Sequence, residues 1–135
     1  MNVKELSVLV LDDKKADLDI IGWDLADLGV SCDAYQDEEE ALQRLTEQSY
    51  HLIIADTKKG DKITGPVVVR KARELGQNPV VIALSADSGN KREWADTKYD
   101  YFFEKTYFNN EKLRGILKEK FNIDQSKATA EHYFT

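Results

Sequence analysis

Two adjacent aspartates, Asp12 and Asp13, close the apolar run Val8-Leu9-Val10-Leu11. Such a run reads as a buried strand, and two carboxylates at its end set like charges side by side, an arrangement that calls for a cation. Three further apolar runs end in groups able to do chemistry. Leu52-Ile53-Ile54-Ala55 ends in the carboxylate of Asp56, Val80-Val81-Ile82-Ala83-Leu84 in the hydroxyl of Ser85, and Tyr101-Phe102-Phe103-Glu104 delivers Lys105. Asp12, Asp13 and Asp56 together suit Mg²⁺, which keeps several waters and accepts one or two carboxylates plus an oxygen of a phosphoryl group. Mn²⁺ is the alternative ion. Lys105 supplies a point charge for the same anion and Ser85 a hydrogen bond to one of its oxygens. The set describes a site that handles a phosphoryl group.

The elements that must position these residues follow from the rest of the chain. Strand signals alternate with helical ones, the pattern of a parallel sheet covered by helices on both faces, where ligands bind beyond the carboxyl ends of the strands. Leu18, Ile21, Leu25 and Leu28 space a first helix that Gly29 ends, and a short second strand runs from about Val30 to Tyr35. The acidic run Asp37-Glu38-Glu39-Glu40 suits the N-terminus of a second helix carrying Ala41, Leu42 and Leu45. A polar loop follows Asp56 until Gly65-Pro66 opens a third helix with Val68, Val69, Ala72 and Leu75 on its apolar face. The stretch from Asp87 to Asp100 is polar enough to hold only a short helix or a loop, and Leu113, Ile116, Leu117 and Phe121 space the last helix.

Composition narrows the setting. The chain of 135 residues fits one domain, read as residues 1–121, with 122–135 as a tail or linker stub. Cys32 is the lone cysteine, so no intrachain disulfide can form and a cytoplasmic location is expected. No apolar stretch approaches the roughly 18 residues of a membrane span, so no membrane insertion is expected. The net charge of −6 argues against direct nucleic-acid contact. The basic groups Lys58-Lys59 and Arg70-Lys71-Ala72-Arg73 read as a solvated loop and helix face. Trp23 and Trp94 are expected at the core edge or an interface, and neither His51 nor His132 reads as a catalytic base or a phosphorelay histidine.

In this order and on these strand ends, Asp12, Asp13, Asp56, Ser85 and Lys105 resemble the receiver domain of two-component response regulators, over roughly Leu6 to Phe121. The resemblance implies a flavodoxin-like (βα)5 three-layer sandwich with sheet order 2-1-3-4-5, and a stand-alone, chemotaxis-type switch. It implies Asp56 as phosphoacceptor, Asp13 as a direct metal ligand, Asp12 as a ligand through water, and the backbone carbonyl of Lys58 as the remaining protein ligand. Ser85 matches the switch hydroxyl, Lys105 the family's lysine, and Phe102 the switch aromatic, with a core role competing for Phe102. The implied partners are a sensor histidine kinase or histidine phosphotransfer protein upstream and a protein partner downstream. Lys58 and Asp87, two residues beyond Asp56 and Ser85, are placed to pair across the mouth of the site.

Two departures are visible. The loop Thr57-Lys58-Lys59-Gly60-Asp61-Lys62-Ile63-Thr64-Gly65 is one residue longer than the family norm, and the short interval from Ser85 to Lys105 trims the fourth helix region. They keep open a phosphorylation-independent, receiver-like binding module. A Mg²⁺-dependent phosphohydrolase with Asp12 as nucleophile ranks below it, because Lys14 stands where the general acid would be.

Overall fold

The computed structural model describes residues 1–123. In chain order the regular elements are β1 (Val8–Leu11), α1 (Lys15–Asp27), β2 (Asp33–Tyr35), α2 (Glu38–Glu47), β3 (Leu52–Asp56), β4 (Lys58–Lys59), β5 (Lys62–Ile63), α3 (Gly65–Glu74), β6 (Val80–Ser85), a 3₁₀ segment (Ser88–Trp94), β7 (Tyr101–Glu104) and α4 (Asn110–Phe121). Strands β4 and β5 pair only with each other, antiparallel. The other five form a parallel sheet in the order β2-β1-β3-β6-β7, which is the expected flavodoxin-like 2-1-3-4-5.

Alternate residues of the central strands point to opposite faces, and both faces are covered, which is why these strands read as unbroken apolar runs. Val8, Val10, Leu52, Ile54, Ile82 and Leu84 pack with α1 and α4, through Leu18, Leu25, Leu113 and Leu117. Leu9, Leu11, Ile53, Ala55, Val81 and Ala83 pack with α2 and α3, through Leu45, Val68, Val69 and Ala72. Since the strands run parallel and in register, Leu11, Ala55 and Ala83 lie side by side, and the residues that follow emerge at one end of the sheet.

Four local features differ from expectation. Strand β2 begins only at Asp33, because the amide of Val30 donates to the Leu25 carbonyl at 2.9 Å and so belongs to the turn that ends α1. The polar loop after Asp56 folds as the β4–β5 hairpin, with Gly60 at φ +62° in its turn. Trp94 is fully buried beneath α3, not at the core edge, whereas Trp23 on α1 is 69% exposed. Arg70 and Arg73 are not a solvated face: Arg70 pairs with Asp96 at 2.7 Å, and Arg73 donates to the carbonyls of Pro79, Thr97 and Lys98. Together they tie the segment after β6 to α3.

His51 has a structural contact, its Nδ1 accepting from the Ser7 amide at 3.0 Å at the entry to β1. Ile123, beyond the expected domain end at 121, is buried in the α1–α4 core. Residues 124–135, with His132, lie outside the described residues.

Candidate functional site

The sheet brings Asp12, Asp13 and Asp56 together at the carboxyl ends of β1 and β3, with one carboxylate oxygen of each within 4.8 Å of the other two. Lys105, the residue after β7, reaches back into the same cleft. Its Nζ lies 2.8 Å from Asp12 Oδ2, 2.9 Å from Asp17 Oδ2 and 3.2 Å from Asp56 Oδ2. Three carboxylates therefore surround one ammonium, with Asp13 beside them. Asp12 Oδ1 accepts from the Lys14 amide at 3.0 Å, which fixes the carboxylate as α1 begins. Its Oδ2 is buried and has the Lys105 ammonium as its partner. Asp56 Oδ1 accepts from the Thr57 amide at 2.9 Å.

The electrostatics follow from this crowding. Burial pushes the Asp56 carboxyl up to about 6, with the Lys105 charge opposing and Asp12 adding to the rise. Burial likewise raises Asp12, against its bonds to Lys105 and Lys14. For Lys105, burial alone would depress the ammonium, but hydrogen bonds to Asp12 and Asp17 and the Asp56 charge outweigh it and raise it. The cleft thus holds more negative charge than the Lys105 ammonium can balance, and carboxylate oxygens of Asp12, Asp13 and Asp56 stand close enough to share one ion. These residues fit a hard divalent cation.

An opening of about 240 Å³ lies above Asp56, lined by Asp13, Lys14, Lys58, Asn90 and Lys105 among others. Lys58 enters the wall because the hairpin begins there. Ser85 ends β6 as expected but its hydroxyl does not join the carboxylates. It is buried, donates to the Asp87 carbonyl at 2.6 Å, and accepts from the Asp87 amide at 3.1 Å and from Asn90 Nδ2 at 2.8 Å. Phe102 is half-buried against the α2–α3 side of the core and meets Tyr99 edge-on, with ring centroids 6.5 Å apart. The expected Lys58–Asp87 pair is not formed: the Asp87 carboxylate instead caps the 3₁₀ segment by accepting from the Gly89 amide at 2.6 Å.

Residues not singled out from the sequence complete the site. Thr57 Oγ1 donates to the Leu84 carbonyl at 2.8 Å and accepts from Trp94 Nε1 at 2.9 Å, so the residue after Asp56 is anchored to the 3₁₀ segment. Gly65 makes that contact sterically feasible. A Cβ there would collide with the Asp56 carbonyl oxygen and stand 2.8 and 2.9 Å from the Trp94 ring. Asp17 had a readable signal, an acid in the first turn of the helix that follows the aspartate pair. Asn90 had none, since its partner is five residues away in an irregular stretch.

A family model described as the response regulator receiver domain matches residues 8–118. None of the curated proteins compared with the chain matches it. Among solved structures, the receiver domain of the Francisella response regulator 1452 is 25% identical, with 87% of this chain and 98% of that chain covered and a TM-score of 0.73. The Saccharomyces cerevisiae Ssk1 receiver domain, co-crystallised with the histidine phosphotransfer protein Ypd1, is 17% identical over 93% of this chain and 99% of that chain, TM-score 0.74. The receiver domain of the Pseudomonas aeruginosa sensor histidine kinase PA1611, with a magnesium ion in its active-site cleft, is 20% identical over 87% and 98%, TM-score 0.72.

Proposed function

This chain belongs to the response regulator receiver domain family, and from that premise we propose that it is a signalling switch that takes a phosphoryl group onto Asp56 from a phosphohistidine. The observation that carries the reading is Lys105 Nζ within 3.2 Å of Asp56 Oδ2, inside a cluster of carboxylates too negative for one ammonium. Asp13 and Asp56 would hold Mg²⁺ directly, Asp12 through water, and Lys58 through its carbonyl. Bound there, the ion offsets charge on the phosphoryl oxygens.

The reacting atoms belong to the protein and the donor. An Asp56 carboxylate oxygen attacks phosphorus in line, the P–O bond forms as the P–N bond of the phosphohistidine breaks, and the imidazole leaves with the electron pair. Lys105 can follow the incoming phosphoryl oxygens while Asp17 keeps its other N–H engaged, which holds the ammonium close without a large reorganisation. The product is an aspartyl phosphate. Ser85 and Phe102 then report its presence to a downstream protein partner, in a cytoplasmic setting. On α1, the half-exposed Ile20 lines a pocket shared with Asp12, Asp17 and Lys105, and Trp23 on the same helix is also exposed, a surface that suits a helical, histidine-bearing donor such as a kinase or phosphotransfer protein.

The hairpin after Asp56 and the 3₁₀ segment in place of a full helix favour one second reading, a receiver-like binding module that needs no phosphorylation. Intact-mass measurement after acetyl phosphate and Mg²⁺ separates the two. Wild type is expected to gain one phosphoryl mass that alkaline hydroxylamine removes, and Asp56→Asn to gain none. Retention of the mass in Asp56→Asn sinks the assignment of Asp56. Its absence from wild type with both acetyl phosphate and a phosphorylated histidine protein leaves the binding module.

A further inference from the structure

The hydrogen-bonding capacity of Ser85 is full. A hydroxyl offers one donor and two acceptor positions, and Ser85 Oγ uses the donor on the Asp87 carbonyl and both acceptor positions on the Asp87 amide and Asn90 Nδ2. The two bonds to Asp87 are local backbone contacts that a serine makes at the start of a turn. The third comes from a side chain on the 3₁₀ segment that also lines the cleft above Asp56. The single Ser85 proton is spent on the Asp87 carbonyl, so donation to a phosphoryl oxygen requires leaving that carbonyl, and a turn of the side chain that carries the buried Oγ toward the carboxylates also breaks the bond from Asn90, the one side-chain partner.

We propose that Asn90 is a positioning residue that latches Ser85 in its resting orientation, so that a phosphoryl group on Asp56 must release Asn90 to engage the hydroxyl. This rests on the reading of Asp56 as phosphoacceptor. Two consequences follow. The latch opposes phosphorylation, and its release frees the 3₁₀ segment on the side facing the cleft. That segment stays anchored at its far end by Trp94 on Thr57 and by Arg70, which donates to the Glu93 carbonyl. The movement is therefore confined to the Ser88–Asn90 end.

The test titrates wild type, Asn90→Ala, Ser85→Ala and the double variant with beryllium fluoride in excess Mg²⁺, a mimic of the phosphoryl group, by calorimetry. Asn90→Ala is expected to bind about two- to tenfold more tightly, the range that one net hydrogen bond carries. In the Ser85→Ala background the same change is expected to have no effect, because there is no hydroxyl to hold. A gain of equal size in both backgrounds, or weaker binding in Asn90→Ala, overturns the latch. So does an unchanged affinity while wild type binds the mimic, and that result leaves Asp56 as acceptor. A wild type that neither binds the mimic nor gains phosphoryl mass overturns the acceptor reading and the latch with it. The Asn90 side-chain amide signals in ¹H–¹⁵N spectra supply an independent readout. They are expected to move on Ser85→Ala and again when the mimic binds, and signals unmoved by Ser85→Ala overturn the contact itself.

Discussion

Two clusters of charged side chains flank β1 and its neighbours, and they are built on opposite principles. At the start of β2, the Asp33 carboxylate receives the Tyr50 hydroxyl at 2.5 Å and Arg44 Nε at 3.3 Å, so one anion meets one cation and one neutral donor. At the carboxyl ends of β1 and β3, Lys105 faces Asp12, Asp17 and Asp56, and Asp13 stands beside them. The first cluster is partly exposed, and its cation also reaches Glu47 at 3.0 Å, so water shares in solvating its charges. The second crowds three carboxylates onto one ammonium, buries the Asp12 carboxylate completely, and opens to the surface. A surplus of one sign at a strand end is costly to the fold, and a cation or a charged reactant can relieve it.

The sharpest way to test that contrast is to remove the cation of each cluster. Lys105→Met leaves the buried carboxylates unopposed, and a loss of about 3 kcal/mol is expected in denaturant melts with EDTA. Millimolar Mg²⁺ is expected to restore most of it, since the ion neutralises the same oxygens. Arg44→Met is expected to cost less and to ignore Mg²⁺. Equal Mg²⁺ sensitivity in the two variants would erase the distinction between the clusters.

A second test, of smaller effect, uses pH in metal-free protein. Asp56 rises from 3.8 to about 6 on folding, chiefly through burial. Between those values the folded chain holds a proton that the unfolded chain has released, so stability is greatest at the acid side and falls as pH rises through about 6. Asp56→Asn removes this dependence. The difference in stability between wild type and Asp56→Asn is therefore expected to shift against wild type by about 1–3 kcal/mol from pH 4 to pH 7 in EDTA. A difference that stays flat, or shifts the other way, would mean that the Asp56 carboxylate is not destabilised by its surroundings.

The sequence made the carboxylate cluster easier to find than the Asp33 cluster, for a physical reason. Asp12, Asp56, Ser85 and Lys105 each interrupt or follow an apolar run, and a parallel sheet in register carries such interruptions to one end, so linear pattern translates into proximity. Both helical layers followed from the same periodicity, whereas the strand order came from the family resemblance. What escaped depends on contacts between irregular segments. Trp94 sits on a 3₁₀ stretch with no period to announce its burial, and its partner Thr57 is 37 residues away. The hairpin after Asp56 arises from pairing within a polar stretch whose side chains give no alternation. Ser85 was legible as a strand-end hydroxyl, but its direction is set by Asp87 and Asn90, which local sequence does not reveal. Asp33, Arg44 and Tyr50 drew no notice because a matched set of ordinary side chains produces no anomaly in sequence.

The smallest expected effect tests whether the Asp33 cluster is independent of the site. Tyr50 is buried, and its hydroxyl donates to a carboxylate that keeps Arg44 as a second partner. Tyr50→Phe removes that one bond while preserving the ring that packs in the α2–α3 side of the core, so a loss of about 1 kcal/mol is expected. The route by which this could reach the cleft is short. Asp33 pairs with Leu9 and Tyr35 with Leu11, and the Tyr35 carbonyl accepts the Asp12 amide at 3.1 Å. A shift of β2 along β1 would therefore move Asp12 directly. If the sheet is as stiff as its two packed faces imply, Mg²⁺ affinity measured by calorimetry stays at the wild-type value in Tyr50→Phe, and the stability loss is the same in EDTA and in Mg²⁺. Weakened Mg²⁺ binding would show instead that β2 is a compliant edge strand, and that the Asp33 cluster at its start sets the position of the carboxylate cluster beyond its end.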